Sequence, residues 1–250
     1  MYKKIIAVLL ILPVTAVIAY SKYTFEIDYE KDIKTNKICD YEYEKIDDSI
    51  IMSNRSAKKC VALTFDDGPD PRYTEKILEI LEEYNAKATF FVIGENAQKY
   101  PDLVLKEYNM GHEIGNHTYS HPNLKKISVA KFIDEIEKTQ CIVEDITGER
   151  PKLFRPPGGY LNNKIVDELH ELDVFSVLWS WRQDTKDWTC PAVKNIVSTV
   201  ILNLQDGDII LFHDYNSKKS PTPEALKQIL ENLSSKGYSF VTISELINVK

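Results

Sequence analysis

Two adjacent carboxylates, Asp66 and Asp67, follow the apolar run Val61-Ala62-Leu63-Thr64-Phe65 and precede Gly68-Pro69. Like charges held this close repel, so both stay ionised only where something positive lies between or beside them. A divalent cation meets that need and divides the labour, one acid ligating it while the other handles protons. A solvated Asp-Asp-Gly turn is the plainer alternative, and the rest of the chain has to decide. His117 and His121 stand four residues apart. On a single helical turn they meet on one side, where both imidazoles reach one cation. With Asp67 they make a set of two histidines and one carboxylate that leaves coordination positions open for water and substrate. Asp66 is then placed to take the proton from a water activated at such a centre.

Other residues complete that chemistry. Arg155 opens the run Arg155-Pro156-Pro157-Gly158-Gly159 and reads as the cation that keeps Asp66 ionised and oriented. An ordinary surface ion pair in its place would contribute little. Gly158 allows a backbone N–H to come close to a ligand and support an oxyanion. His213 ends the apolar run 208–212 and is the candidate general acid, with Asp187 the carboxylate that favours its charged form. Trp188, beside Asp187, offers a face on which a sugar could stack. His112 and His170 read as strand and helix packing.

The elements that must position these residues alternate regularly. Apolar runs and helical periodicity predict strands at 61–65, 88–93, 112–115, 152–154, 174–179, 208–212 and 239–243. Helices are expected at 73–84, 96–108, 128–146, 162–171, 192–204 and 223–236. Such β-α alternation implies parallel strands with helices outside, as an open sheet or a barrel. The candidate residues fall after the strands, at the C-terminal ends where parallel α/β architectures build active sites.

The 250 residues suffice for one α/β domain with an appendage, and a net charge of −7 argues against nucleic acid as partner. Four cysteines, Cys39, Cys60, Cys141 and Cys190, show no CxxC spacing, which argues against a cysteine-built zinc site. Two disulfides or free thiols both remain open. Residues 1–22 carry Lys3 and Lys4 before an apolar run from Ile5 to Tyr20, the form of a signal peptide or a membrane anchor. Export follows, with the rest of the chain secreted or held at the extracellular face. Residues 23–58 read as a linker or extension, with Ile50-Ile51-Met52 able to form a strand laid on the domain. The catalytic domain is set at 59–250.

The motifs, in order, resemble the polysaccharide deacetylases of carbohydrate esterase family 4, the NodB-like domain. Five motifs carry the resemblance across residues 60–246: Thr-Phe-Asp-Asp-Gly-Pro at 64–69, His-Thr-Tyr-Ser-His at 117–121, Arg-Pro-Pro-Gly-Gly at 155–159, Asp-Thr-Lys-Asp-Trp at 184–188 and Leu-Phe-His at 211–213. The resemblance implies a distorted (β/α)7 barrel that removes acetyl groups from N-acetylated sugars with a divalent metal, usually zinc, with cobalt and others able to substitute. It implies Asp66 as base, Asp67, His117 and His121 as metal ligands, and Arg155 as the residue that positions the base. Asp187 resembles the residue that tunes the acid, His213 the acid, and Leu211 the wall of the acetyl pocket. Where the family often has tyrosine this chain has Gly158, a change expected to widen the groove and spare the backbone N–H. The expected substrate is N-acetylglucosamine or N-acetylmuramic acid in peptidoglycan, or chitin-type oligomers. The protein is expected to act as a monomer and to meet the membrane only through its N-terminal segment. An esterase of O-acetylated xylan and a non-catalytic wall-binding module are the competing readings. A binding module would be free to lose Asp66 or His213, and both are present.

Overall fold

The computed structural model describes residues 50–248. The signal or anchor read at 1–22, most of the extension and Cys39 lie outside the described residues. Strand β1 spans Ile50–Ile51, β2 Cys60–Asp66, β3 Ala88–Val92, β4 Glu113–Asn116, β5 Leu153–Phe154, β6 Phe175–Val177, β7 Ile209–His213 and β8 Ser239–Phe240. Helix α1 spans Thr74–Glu83, α2 Gly94–Lys99, α3 Pro101–Asn109, α4 Val129–Thr147, α5 Asn163–Glu171, α6 Val193–Asn203, α7 Thr222–Ser235 and α8 Ile243–Asn248. All strand pairings are parallel, in the order β1-β6-β5-β4-β3-β2-β7, with β8 added to β2. Ile50 and Ile51 do lie on the domain, opposite Ser176 and Val177.

Alternation along β2 explains where the core sits. Val61, Leu63 and Phe65 point one way and Ala62, Thr64 and Asp66 the other, as the strand period requires. The first set packs with Ile77, Leu78 and Leu81 of α1 and with Leu226 and Ile229 of α7. Phe65 stacks between Phe90 and Phe212 on the flanking strands, at centroid distances of 5.0 and 5.6 Å. Burying each ring contributes roughly 1.5–3 kcal/mol, and together they clamp β2 between β3 and β7. The opposite face of β2 carries Thr64 and Asp66 toward its C-terminal end.

Register then levels the strand ends. Asp66 lies opposite both Phe91 and His213, Val92 opposite Asn116, and Asn116 opposite Phe154. Asp67, His117, Arg155 and His213 therefore leave the sheet along one rim. The sheet is curled, because the segment after β6 reaches β7, far along the strand order. Ser180 N donates to Ile209 O and Leu211 N to Gln183 O, each at 2.9 Å.

Three local expectations are corrected. The single helix expected at 96–108 is two, because Pro101 lacks an N–H and restricts Tyr100, which sits at φ −129°, ψ 56°. Gly94 opens the first of them. The strand expected at 239–243 ends at Phe240, since Thr242 and Glu245 form a reciprocal capping box that starts α8 at Ile243. His170, expected to pack, lies exposed on α5, whereas His112 is buried and accepts a hydrogen bond from Ala88 N at Nδ1. Cys60, Cys141 and Cys190 are free thiols. No described helix is long and apolar enough to cross a membrane.

Candidate active site

Asp66 is buried at the end of β2, and its Oδ1 accepts a hydrogen bond from Arg155 Nη1 at 2.8 Å. Arg155 is wholly buried, which overturns the surface-pair alternative. The same Nη1 donates to Thr64 Oγ1 at 2.7 Å, Nη2 donates to Leu178 O at 3.1 Å, and the guanidinium lies 4.2 Å from the centre of the Phe91 ring. A charge so enclosed requires its partners, since breaking a buried pair costs about 3–5 kcal/mol. Orientation of Asp66 and solvation of Arg155 are thus one arrangement.

Asp67 is turned out of the strand with φ 76°. Its Oδ1 is 3.4 Å from His117 Nε2 and 3.4 Å from His121 Nε2, and the two imidazole centroids are 5.1 Å apart. His117 Nδ1 donates to Arg155 O at 2.7 Å, which leaves the Nε2 lone pair aimed at Asp67. Asp67 Oδ1 is buried and accepts no hydrogen bond from any described residue. One carboxylate oxygen and two imidazole nitrogens, all within 4.8 Å of one another, form a group that could hold a metal ion. Burial would raise the Asp67 pKa, but the His117 imidazole beside it, then the charges of His213 and His121, hold it well below the carboxylate range.

The convergence of the histidines is not that of a helical turn. Residues 117–121 form a loop in which Thr118 and His121 take left-handed conformations, φ 68° and 52°. Asn116 Oδ1 accepts from Thr118 N at 2.8 Å, and the Thr118 hydroxyl accepts from His121 N at 3.1 Å. These side-chain bonds give the loop its shape.

Across the rim, His213 Nδ1 donates to Asp187 Oδ1 at 2.7 Å. Asp187 is fully buried and also accepts from Trp188 N, His213 N and the Thr222 hydroxyl. Burial alone would push the His213 imidazole pKa down. Asp187 first, then Asp67 and Asp66, outweigh burial and raise it to about 9. Trp188 is 57% exposed, a rim residue and not a core one. Leu211 is buried and its carbonyl accepts from the Thr185 hydroxyl. Gly158 holds φ 62°, with open space where a Cβ would stand.

Three supporting residues escaped the sequence reading. Thr64 and Thr222 hold Arg155 and Asp187; Thr64 opens the 64–69 motif without announcing its bond to Arg155, and Thr222 carries no motif signal. Asp214 lies beneath the Asp66-Asp67 turn, accepting from the Thr74 hydroxyl at 2.5 Å, against the Cα of Gly68. Its place directly after His213 was the available clue.

A sequence profile described as polysaccharide deacetylase matches residues 53–177. A peptidoglycan-N-acetylglucosamine deacetylase of Bacillus cereus is 46% identical over 193 residues, 77% of this chain and 90% of that protein. The peptidoglycan-N-acetylmuramic acid deacetylase PdaC of Bacillus subtilis is 40% identical over 77% of this chain, and the match spans 40% of that longer protein. A solved peptidoglycan N-acetylglucosamine deacetylase in complex with 4-naphthalen-1-yl-N-oxidanyl-benzamide shares the fold with a TM-score of 0.75. It is 39% identical, with 79% of this chain and 92% of that one covered. The motifs, the curled parallel sheet and these likenesses agree: the chain belongs to the polysaccharide deacetylase family.

Proposed function

We propose that the protein hydrolyses the acetamide of N-acetylglucosamine or N-acetylmuramic acid units in peptidoglycan and releases acetate. The observation that carries this reading is the buried, unpartnered Asp67 Oδ1 facing His117 Nε2 and His121 Nε2, each at 3.4 Å. Two imidazole nitrogens and one carboxylate oxygen suit a divalent ion, and zinc first among them. Asp67, His117 and His121 would hold it. Once bound, such an ion polarises the acetyl carbonyl and makes a water more acidic.

The remaining work belongs to the chain's own groups. Asp66, fixed by Arg155, takes the proton of the attacking water. Gly158 N–H supports the oxygen that gains charge. His213, charged at neutral pH because Asp187 stabilises its imidazolium, gives its proton to the departing amine. Water thus supplies the hydroxyl that completes the acetate, and the sugar leaves as a free amine. Trp188 lines the sugar's approach and Leu211 the acetyl pocket.

The Bacillus cereus relative is matched over most of its own length and bears the name of N-acetylglucosamine, which makes that sugar the first to assay. The finer architecture proposed is the distorted (β/α)7 barrel, supported by the hydrogen bonds that tie the segment after β6 to β7. Export is proposed from the basic and apolar order of residues 1–22. Acetate release measured on peptidoglycan, chitin oligomers and acetylated xylan tests the reading. Release from the N-acetylated glycans is expected, and release from acetylated xylan alone would overturn it in favour of an esterase.

A further inference from the structure

The loop that carries His117 and His121 is unevenly anchored. His117 is fixed twice from the sheet side, by its N–H to Val92 O at 3.0 Å and by Nδ1 to Arg155 O. His121 is at the far end, its side chain 42% exposed, and both it and Thr118 take left-handed conformations. A β-branched residue such as Thr118 adopts that conformation only where surrounding bonds over-determine it. The carbonyls of Thr118 and Tyr119 accept from Gly94 N and Glu95 N at the start of α2, both at 2.9 Å. The loop's N–H groups turn the other way, toward α4. There Glu135 Oε2 accepts from Tyr119 N at 3.0 Å and Ser120 N at 2.7 Å. The Ser120 hydroxyl donates to the same carboxylate, 3.0 Å from Oε1, and Lys131 Nζ lies 3.0 Å from Oε1. Glu135 is buried, and the 119–120 N–H pair it holds is the segment between the two imidazoles.

We propose that Glu135 is a positioning residue of the metal centre, fixing His121 relative to His117 and Asp67 and so setting the affinity for the divalent cation. The proposal rests on the reading of Asp67, His117 and His121 as ligands. Without the carboxylate, the Tyr119 and Ser120 N–H groups lose their acceptor, and the turn between the histidines loses its anchor on α4. His117 keeps its own anchors, so the displacement falls on His121. Carboxylates behind metal-ligating groups commonly act this way, and their loss weakens metal binding by roughly 10–100-fold.

The test is titration of chelator-stripped protein with Co2+, followed by visible absorption, for wild type, Glu135→Ala, Glu135→Gln and Lys131→Ala. Glu135→Ala should weaken Co2+ binding by roughly 10–100-fold, and Glu135→Gln, which keeps one acceptor oxygen, by less. Lys131→Ala, which leaves the loop bonds in place, should bind Co2+ like wild type. Melting temperatures of the metal-free proteins separate this role from a purely structural one. Glu135 variants that melt earlier yet bind Co2+ like wild type overturn the proposal. If Glu135→Ala does not fold, Glu135→Gln and Ser120→Ala decide by the same titration. Wild-type protein that takes up no Co2+ would remove the metal reading itself, and this proposal with it.

Discussion

Asp187→Asn keeps the shape of the side chain behind His213 and removes its charge. The carboxylate lies 2.7 Å from His213 Nδ1 and is enclosed by Trp188 N, His213 N and the Thr222 hydroxyl. Burial opposes the charged imidazole, and Asp187 is the first group that overcomes it. A rise from 6.5 to about 9 corresponds to roughly 3 kcal/mol of preference for the imidazolium. With the carboxylate gone, an imidazole back near 6.5 would be protonated at about pH 8 in only ~3% of molecules, against ~90% before. In acetate release from N-acetylglucosamine oligomers, kcat/KM near that pH should fall roughly 30-fold, with little change near pH 6. The alkaline limb of the profile should move down by about 2.5 units. The shift between the two enzymes, and not either midpoint, is the readout. Stability follows the same linkage. A group whose folded pKa is raised contributes fully below about 6.5 and loses that contribution as pH climbs through about 9. The gap in melting temperature between wild type and variant should therefore narrow from neutral to alkaline pH. A folded variant whose alkaline limb stays where it was refutes the assignment of His213 as the acid.

Asp66→Asn should lower kcat by roughly 10²–10⁴-fold, the range for losing a general base, while Co2+ binds with near wild-type affinity. It should also melt earlier, because Arg155 is left as a buried charge without its carboxylate; retained turnover would remove Asp66 from the base role. Gly68→Ala places a Cβ 2.1 to 2.3 Å from the Asp214 carboxylate, which is buried and tied to Thr74. Overpacking of that kind costs about 1–3 kcal/mol and displaces the turn that carries Asp67. Both melting temperature and turnover should fall, and an unchanged enzyme would show that the turn has room to spare.

Much of the site is legible because it depends on strand ends. Asp66, His213 and Arg155 each follow a short apolar run, and parallel register alone brings such positions to one rim. At 117–121 the spacing of four suggests a helical turn, whereas the two imidazoles reach the same closeness through left-handed backbone at Thr118 and His121. Nothing in the local sequence announces that, since it is imposed by Asn116, α2 and α4. Two boundaries were legible and missed: Pro101 breaks the helix it stands in, and Thr242 with Glu245 spells a capping box. The Thr222 hydroxyl that holds Asp187 comes from the start of α7, 35 residues further along the chain, and a contact so distant has no signature in either segment. The first half of the extension question, what precedes Ile50, lies outside the described residues.

The central claim is that Asp67, His117 and His121 hold one divalent ion without which the acetamide is not cleaved. Acetate release from peptidoglycan should be followed while the bound metal is stripped with chelator and then restored, with metal content determined at each step. Activity should fall with metal content and return at one ion per chain, and His117→Ala should neither bind the ion nor recover. Undiminished release from protein verified to be metal-free would contradict it.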